Sequence, residues 1–175
     1  MTPTPHALQS LVGKRLSIDP ALAVPAAGGA LQEKSHGVAL QVDDDGARLV
    51  TAPSGEGLWV PGGAGGAVIG HLAGPAHWAA TATRGACRLV MGKNHRTGQV
   101  YAAHVPDGRD EAWRRFRSRH DMTEWQALLS EGADGSVVFA CCEAGRVRAL
   151  VRVEVQASAD DPLSGRVTKV QVLAT

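Results

Sequence analysis

Aromatic residues are scarce in this chain: they make up 4% of its 175 residues, whereas hydrophobic residues make up 44%. The core must therefore be built mainly from Val, Leu and Ala. No apolar run approaches the roughly 20 residues that a membrane-spanning helix needs. Residues 1–10 also lack the basic and apolar regions of a Sec signal peptide. We therefore expect no membrane association.

Neither sign of charge dominates, because 18 Lys and Arg residues stand against 17 Asp and Glu residues. Such a balance gives no electrostatic reason to expect a nucleic-acid partner. The three cysteines, of which Cys141 and Cys142 are adjacent, do not make a disulfide framework and indicate folding in a reducing compartment. The seven histidines are scattered without ligand spacing, so we expect no metal and no cofactor.

The hydrophobic pattern predicts an α+β fold, with a mostly antiparallel β-sheet sandwich core and one main helical segment packed on it. The length fits a single domain over residues 1–175, in which residues 1–35 form a weakly defined N-terminal segment with a possible short helix at 5–12. Alternating apolar residues and turn signals predict strands at 38–42, 49–52, 58–60, 68–69, 87–91, 99–105, 136–142, 146–155 and 167–173.

The main helical segment is predicted over residues 109 to about 129. Trp113, Phe116 and Trp125 recur there at helical spacing, and Asp121 is a candidate cap for a second part after a break at His120. We expect these aromatic side chains to be core rather than a substrate platform. Four arginines predict a solvated basic face that could dock an acidic target: Arg114, Arg115, Arg117 and Arg119.

Several familiar sites are not supported. No GxSxG motif is present, and Ser54 is read as an ordinary turn serine. The glycine-rich run 62–66 is not followed by GK[ST] and is read as a loop rather than a phosphate site. The run 43–45 of three aspartates is read as a solvated turn rather than as paired catalytic carboxylates.

A cysteine and a histidine stand at the two outer ends of the clearest predicted hairpin. Cys87 opens one strand and His104 lies near the end of the other, so the antiparallel pairing can make them neighbours. A thiol beside an imidazole is a common way to form a nucleophilic thiolate near neutral pH. On spacing alone, a buried small cysteine and a strand-end histidine remain a strong alternative.

The segment around this pair resembles the cysteine–histidine deamidase superfamily, which includes chemoreceptor glutamine deamidases, the catalytic domain of cytotoxic necrotizing factors and Burkholderia lethal factor. Five features match the short motif: Thr81, Gly85-Ala86, Cys87, Thr97-Gly98 and His104. N-terminal asparagine amidases show a similar run, matched by Ala103-His104 and Asp107-Gly108. The broader similarity to the lethal factor takes in 57–61 and 112–125. Departures are Arg84 where a Leu is usual and Gly85-Ala86 in place of Ser-Gly.

The resemblance implies a protein glutamine deamidase in which the Cys87 thiolate attacks a glutamine side chain. His104 would protonate the departing ammonia and then activate water, while backbone N–H groups at Ala86 and Cys87 would hold the oxyanion. Thr81 would orient His104 through its hydroxyl or carbonyl; Thr83, on the same face of a strand, competes for that role. We expect Cys87 to have a lowered pKa and to be the most readily alkylated thiol.

Three functional hypotheses remain open. The first is a monomeric effector or toxin that deamidates a host protein after export from the bacterial cytoplasm. The second is a housekeeping deamidase or amidase of the same fold, acting on a chemoreceptor, an N-terminal asparagine or a small amide. The third is a catalytically inactive binding module. A Cys87–His104 contact would separate the first two from the third.

Overall fold

The computed structural model describes residues 1–26, 29, 31–62, 66–72, 76–83, 86–107, 110–120, 122–129, 135–143, 146–158 and 161–174. For residues 83, 122–129, 158, 161–163 and 174 it describes the backbone alone.

Strands make up most of the described chain. The helices are α1 (Pro5–Gln9) and α2 (Glu111–His120), with a 3₁₀ turn at Pro20–Leu22. The strands are β1 (Arg15–Ile18), β2 (Leu31–Glu33), β3 (His36–Val42), β4 (Gly46–Thr51), β5 (Gly57–Trp59), β6 (Ala67–Leu72), β7 (Trp78–Thr83), β8 (Cys87–Asn94), β9 (Val100–Pro106), β10 (Met122–Leu129), β11 (Ser136–Glu143), β12 (Arg146–Ser158) and β13 (Asp161–Ala174).

Eight strands close into a barrel in the order β1-β13-β12-β11-β7-β5-β3-β4. The short strand β1 completes the closure, because it pairs antiparallel with β13 on one side and parallel with β4 on the other. Strands β5 and β7 form the second parallel pair. Closure leaves no free edge in this sheet.

The barrel interior is filled by side chains, as expected for eight strands. Trp59, Trp78 and Phe139 are its largest buried residues among aliphatic neighbours from α1, β1, β3, β4, β12 and β13. The Trp59 indole N–H donates to the Leu22 carbonyl at 2.9 Å. Gly57 pairs with Trp78, and a Cβ on Gly57 would lie 2.2 Å from the indole ring, so the tryptophan requires a glycine there.

A second sheet, in the order β10-β8-β9-β6-β2, covers part of the outside of the barrel. One of its faces packs against the outward side chains of β5, β7, β11 and β12; this interlayer cluster includes Leu58, Ala79, Cys87, Leu89 and Val138. The opposite face packs under α2. The site described below lies in the layer between the barrel and the second sheet.

The predicted α+β sandwich with a main helical segment is wrong. The main sheet closes on itself as a barrel, and the helical segment is confined to the 10 residues of α2. Residues 122–129, predicted as the second part of the helix, form β10, which pairs antiparallel with β8 from Met122↔Asn94 to Leu129↔Cys87. Pairing with β8 outweighs the local helical spacing. The proposed cap Asp121 lies outside the described residues.

Most predicted strands are confirmed, and both predicted hairpins are present as β3–β4 and β8–β9. The predicted N-terminal helix is present as α1. Besides β10, the pattern missed β1 and β7, which belong to the barrel, and β2, which lies at the edge of the second sheet. The loop 62–66 is described only at its ends.

Candidate functional site

The β8–β9 hairpin brings Cys87 and His104 to the same face of the second sheet. Cys87 pairs with Pro106, and His104 pairs with Leu89, two residues further along β8. Since side chains two residues apart share a face, Cys87 is a diagonal neighbour of His104. This face is the one that packs against the barrel, so both side chains are almost fully buried, with exposures of 3% and 6%.

Thr81 reaches His104 from the barrel. In β7, Trp78 and Ala80 point into the barrel, whereas Ala79 points outward into the interlayer cluster. By the same alternation Thr81 points outward, and its Oγ1 lies 3.0 Å from His104 Nδ1 in a buried hydrogen bond. This contact links the barrel to the second sheet through two residues of the motif that carries the resemblance. The side chain of Thr83 lies outside the described part of the structure.

The imidazole of His104 is held neutral. Burial lowers its pKa from 6.5 to about 4. When Nδ1 carries the proton and donates to Thr81 Oγ1, the threonine hydroxyl is free to donate to the Ala82 carbonyl, 3.4 Å away. The lone pair then lies on Nε2, the basic atom. A Cβ on Gly62 would lie 3.7 Å from Nε2, so the backbone at Gly62 runs past this edge of the ring.

The expectation of a lowered Cys87 pKa is wrong for this buried state. Burial raises the pKa of the thiol to about 11, and the positive charge of Arg152 offsets only part of that effect. Nor is there a hydrogen bond between Cys87 Sγ and His104 among the contacts of the described side chains. In this state Cys87 is therefore a neutral thiol and His104 a neutral imidazole, and the two are neighbours in the sheet without a hydrogen bond between them.

Arg152 is the residue that sequence reasoning missed. It lies on β12, paired with Val138 of β11, which in turn pairs with Thr81. These three residues form one row across the outside of the barrel, beneath the second sheet. Arg152 is 8% exposed. An arginine within an alternating strand such as 146–155 gave no signal, because its burial depends on a sheet formed elsewhere in the chain.

The predicted oxyanion groups lie at the start of β8. The Ala86 carbonyl accepts a hydrogen bond from the Asp107 N–H at 3.0 Å, which fixes the entry into the hairpin. Cys87 is the first residue of the strand, opposite Pro106, which has no N–H to donate. The role of the Ala86 and Cys87 N–H groups stays a prediction.

Other candidate residues are placed elsewhere. Cys141 lies in the barrel interior, and its thiol pKa is raised to about 12 by burial. The basic face of α2 is partly paired: Arg114 binds Asp110, immediately before the helix, and Arg115 binds Glu111 in its first turn. A surface cleft of about 310 Å³ lined by Asp19, Arg48 and others contains none of the site residues.

Metal-ligand clusters and membrane-spanning helices are both absent from the described part of the chain. No three His, Cys, Asp or Glu side chains there are grouped as a metal site would require. None of the helices described is long and apolar enough to cross a membrane.

Comparison with known proteins gave no match: no family model, no curated protein and no solved structure is significantly similar to this chain.

Proposed function

We propose that the protein is a cysteine-dependent glutamine deamidase acting on a protein side chain. The observation that carries this proposal is the buried Thr81–His104 hydrogen bond of 3.0 Å, with Cys87 on the same sheet face as the imidazole. A threonine that orients an imidazole next to a thiol is the arrangement that nucleophilic amide hydrolysis needs. The resemblance of the same three residues to the cysteine–histidine deamidases supports the choice of a glutamine amide.

In the proposed reaction, His104 Nε2 accepts the thiol proton and the resulting Cys87 thiolate attacks the carboxamide carbon. His104 returns that proton to the nitrogen as the carbon–nitrogen bond breaks, so ammonia leaves and a thioester remains. His104 then takes a proton from water, whose oxygen attacks the thioester carbon. The carbon–sulfur bond breaks, and the departing sulfur takes that proton from His104. The products are a glutamate side chain and the regenerated thiol. Effector and housekeeping enzymes would share this chemistry and differ in the target protein.

One observation favours a second candidate, the catalytically inactive binding module. The thiol is 3% exposed and its pKa is raised to about 11, which are properties of a structural cysteine. An active enzyme must therefore bring Cys87 and His104 into contact with each other and with the substrate when the target binds. The inactive module requires no such step.

The deciding experiment incubates protein lysates, bacterial and eukaryotic, with the wild-type protein, with Cys87→Ala and with Cys142→Ala. Peptide mass spectrometry then counts glutamines converted to glutamate, and ammonia release is measured in parallel. Wild type and Cys142→Ala should convert the same glutamine, and Cys87→Ala should convert none. Thermal unfolding of each variant shows whether the loss is due to chemistry.

Two results would contradict the proposal: conversion that persists in a folded Cys87→Ala variant, and the absence of conversion by wild type in every lysate. The second result would favour the binding module. Conversion confined to the eukaryotic lysate would favour the effector, and conversion of a bacterial protein would favour the housekeeping enzyme.

A further inference from the structure

A charged side chain is buried in the layer that holds Cys87 without an adequate partner. Arg152 is 8% exposed, and its Nε is among the buried polar atoms of the described side chains that make no hydrogen bond. Its recorded ion-pair contact is a loose one, from Nη1 to Glu154 Oε1 at 3.9 Å. Burying a guanidinium costs several kcal/mol unless its charge is paired. Glu154 therefore compensates the buried guanidinium only in part.

The packing places Arg152 beside the apolar cluster that contains the thiol. Val138 pairs with Arg152 on the neighbouring strand, and Leu150 lies two residues before it on the same outward face of β12. Both Val138 and Leu150 belong to the interlayer cluster that also contains Cys87. The arginine therefore borders the apolar surroundings of the sulfur, on the barrel side of the layer.

The other charges near Cys87 are directed elsewhere or are neutral. Arg88, the next residue on β8, faces the opposite side of the sheet, where it binds Asp110 at 2.7 Å. His104 is neutral at rest because of its burial. Among the described residues that are buried, Arg152 is the one with a permanent charge.

We propose that Arg152 is the counter-cation of the Cys87 thiolate, so that the activated site is a thiolate–guanidinium pair with His104 as the proton acceptor. The step is a proton transfer from Cys87 Sγ to His104 Nε2, after which the negative sulfur is paired by the guanidinium. The role of this pair in catalysis rests on the proposed function, but its existence does not.

A charge-sensitive alkylation measures the local field at the sulfur. The thiolate displaces iodide from iodoacetate, which is an anion, or from iodoacetamide, which is neutral and of similar size. At each cysteine, the rate with iodoacetate is divided by the rate with iodoacetamide. This ratio does not depend on the accessibility of the cysteine or on its thiolate fraction, because both affect the two rates equally. A neighbouring cation raises the ratio, by roughly three- to tenfold for a charge within a few ångströms in a partly screened site.

The rates are measured peptide by peptide in the full chain. In wild type, the ratio at Cys87 should exceed the ratio at Cys142. Arg152→Met should lower the Cys87 ratio to the Cys142 value, whereas Arg152→Lys should keep most of the elevated ratio. The control is Arg148→Met, which should leave the Cys87 ratio unchanged, because Arg148 lies on the same strand but is exposed and bound to Glu143. The proposal is overturned if the Cys87 ratio is unchanged in Arg152→Met. It is also overturned if, in wild type, the Cys87 ratio is no higher than the Cys142 ratio.

The same samples separate this inference from the proposed function. If the Cys87 ratio falls in Arg152→Met but wild type converts no glutamine, the ion pair is supported and the deamidase proposal is contradicted. If wild type converts glutamine but its Cys87 ratio is not elevated, the deamidase proposal is supported and the ion pair is contradicted.

Discussion

At the scale of single residues, the site combines three positions that the sequence singled out with one that it did not. Cys87, His104 and Thr81 were found through a local hairpin and a short motif, both of which are visible in the order of residues. Arg152 and the burial of the whole group were not, because both depend on which sheet covers which face of the barrel. Local patterns predict the direction of a side chain within a strand, but not what lies opposite it.

Replacing Thr81 with Ala should lower turnover about 10- to 100-fold, the usual effect of losing a hydrogen bond that orients a reactive group. The nucleophile and the base remain, so activity is reduced and not abolished. Thr81→Ser keeps the hydroxyl that contacts His104 Nδ1 and should restore most of the turnover. Steady-state kinetics on the identified target would show the loss in kcat with little change in KM.

The comparison variant for this prediction is Thr83→Ala. If it carries the loss while Thr81→Ala has wild-type turnover, the orienting role belongs to Thr83 and the hydrogen bond seen at Thr81 is only structural.

The order of alkylation among the three thiols should follow exposure in the resting protein. Cys142 is partly exposed, whereas Cys87 and Cys141 are buried. Burial raises the pKa of all three thiols, so none gains an advantage from ionisation. Brief iodoacetamide treatment with peptide mapping should label Cys142 first. Early labelling of Cys87 would instead show that the site opens readily without a target.

At the scale of elements, one carboxylate links α2 to the β8–β9 hairpin that carries the site. Asp110, immediately before the helix, binds Arg88 of β8 and Arg114 of α2, each at 2.7 Å. Hydrogen bonding from Arg114, the largest cause, and from Arg88 lowers the pKa of Asp110. The helix was correctly predicted from aromatic spacing only up to His120. Beyond it, the spacing of Trp125 and its neighbours fitted a helix equally well, and pairing with β8 decided the outcome.

Asp110→Asn should lower the melting temperature near neutral pH by weakening both contacts at once. Because the pKa of Asp110 is lowered in the folded state, its contribution is present above the pKa of the unfolded carboxyl and is lost as the pH falls through the lower, folded value. The difference in melting temperature between wild type and variant should therefore shrink in strong acid. Differential scanning calorimetry at several pH values measures it.

Glu111→Gln is the matched control, since Glu111 pairs with the exposed Arg115 one turn along the same helix. Exposed ion pairs of this kind contribute little to the stability of the folded protein. A loss in Glu111→Gln equal to that in Asp110→Asn would mean that the link between helix and hairpin has no special importance.

At the scale of the whole molecule, the barrel could not be predicted from local pattern. The same alternating strands suit a sandwich or a barrel, and the difference lies in one short strand. Strand β1 pairs with β4 and with β13, whose partner residues Gly165 and Arg166 are far along the chain. The sequence around β1 shows only two buried apolar residues, Leu16 and Ile18, which is too little pattern to indicate closure. Topology of this kind is set by contacts between the two ends of the chain.

The layered architecture predicts a specific weakness towards acid. His104 lies between the barrel and the second sheet, where burial lowers its pKa from 6.5 to about 4. Between those two pH values the unfolded chain binds a proton at this imidazole and the folded chain does not. Stability therefore falls as the pH decreases through that window, by up to about 3 kcal/mol. Urea unfolding of wild type at several pH values from 7 to about 4 would measure this decline.

The contribution of His104 is isolated by His104→Gln, which keeps a hydrogen-bonding side chain next to Thr81 but does not titrate. Its stability should decline less steeply with acidification than that of wild type, even if it is lower at neutral pH. His6→Gln, which removes an exposed imidazole in α1, serves as the control and should retain the wild-type slope. Equal slopes for His104→Gln and wild type would mean that the imidazole takes up its proton in the folded protein, and hence that the layer between barrel and sheet admits water. In that case the pKa of His104 in the folded protein would lie near its ordinary value of 6.5, and the lowered value described for the site would be wrong.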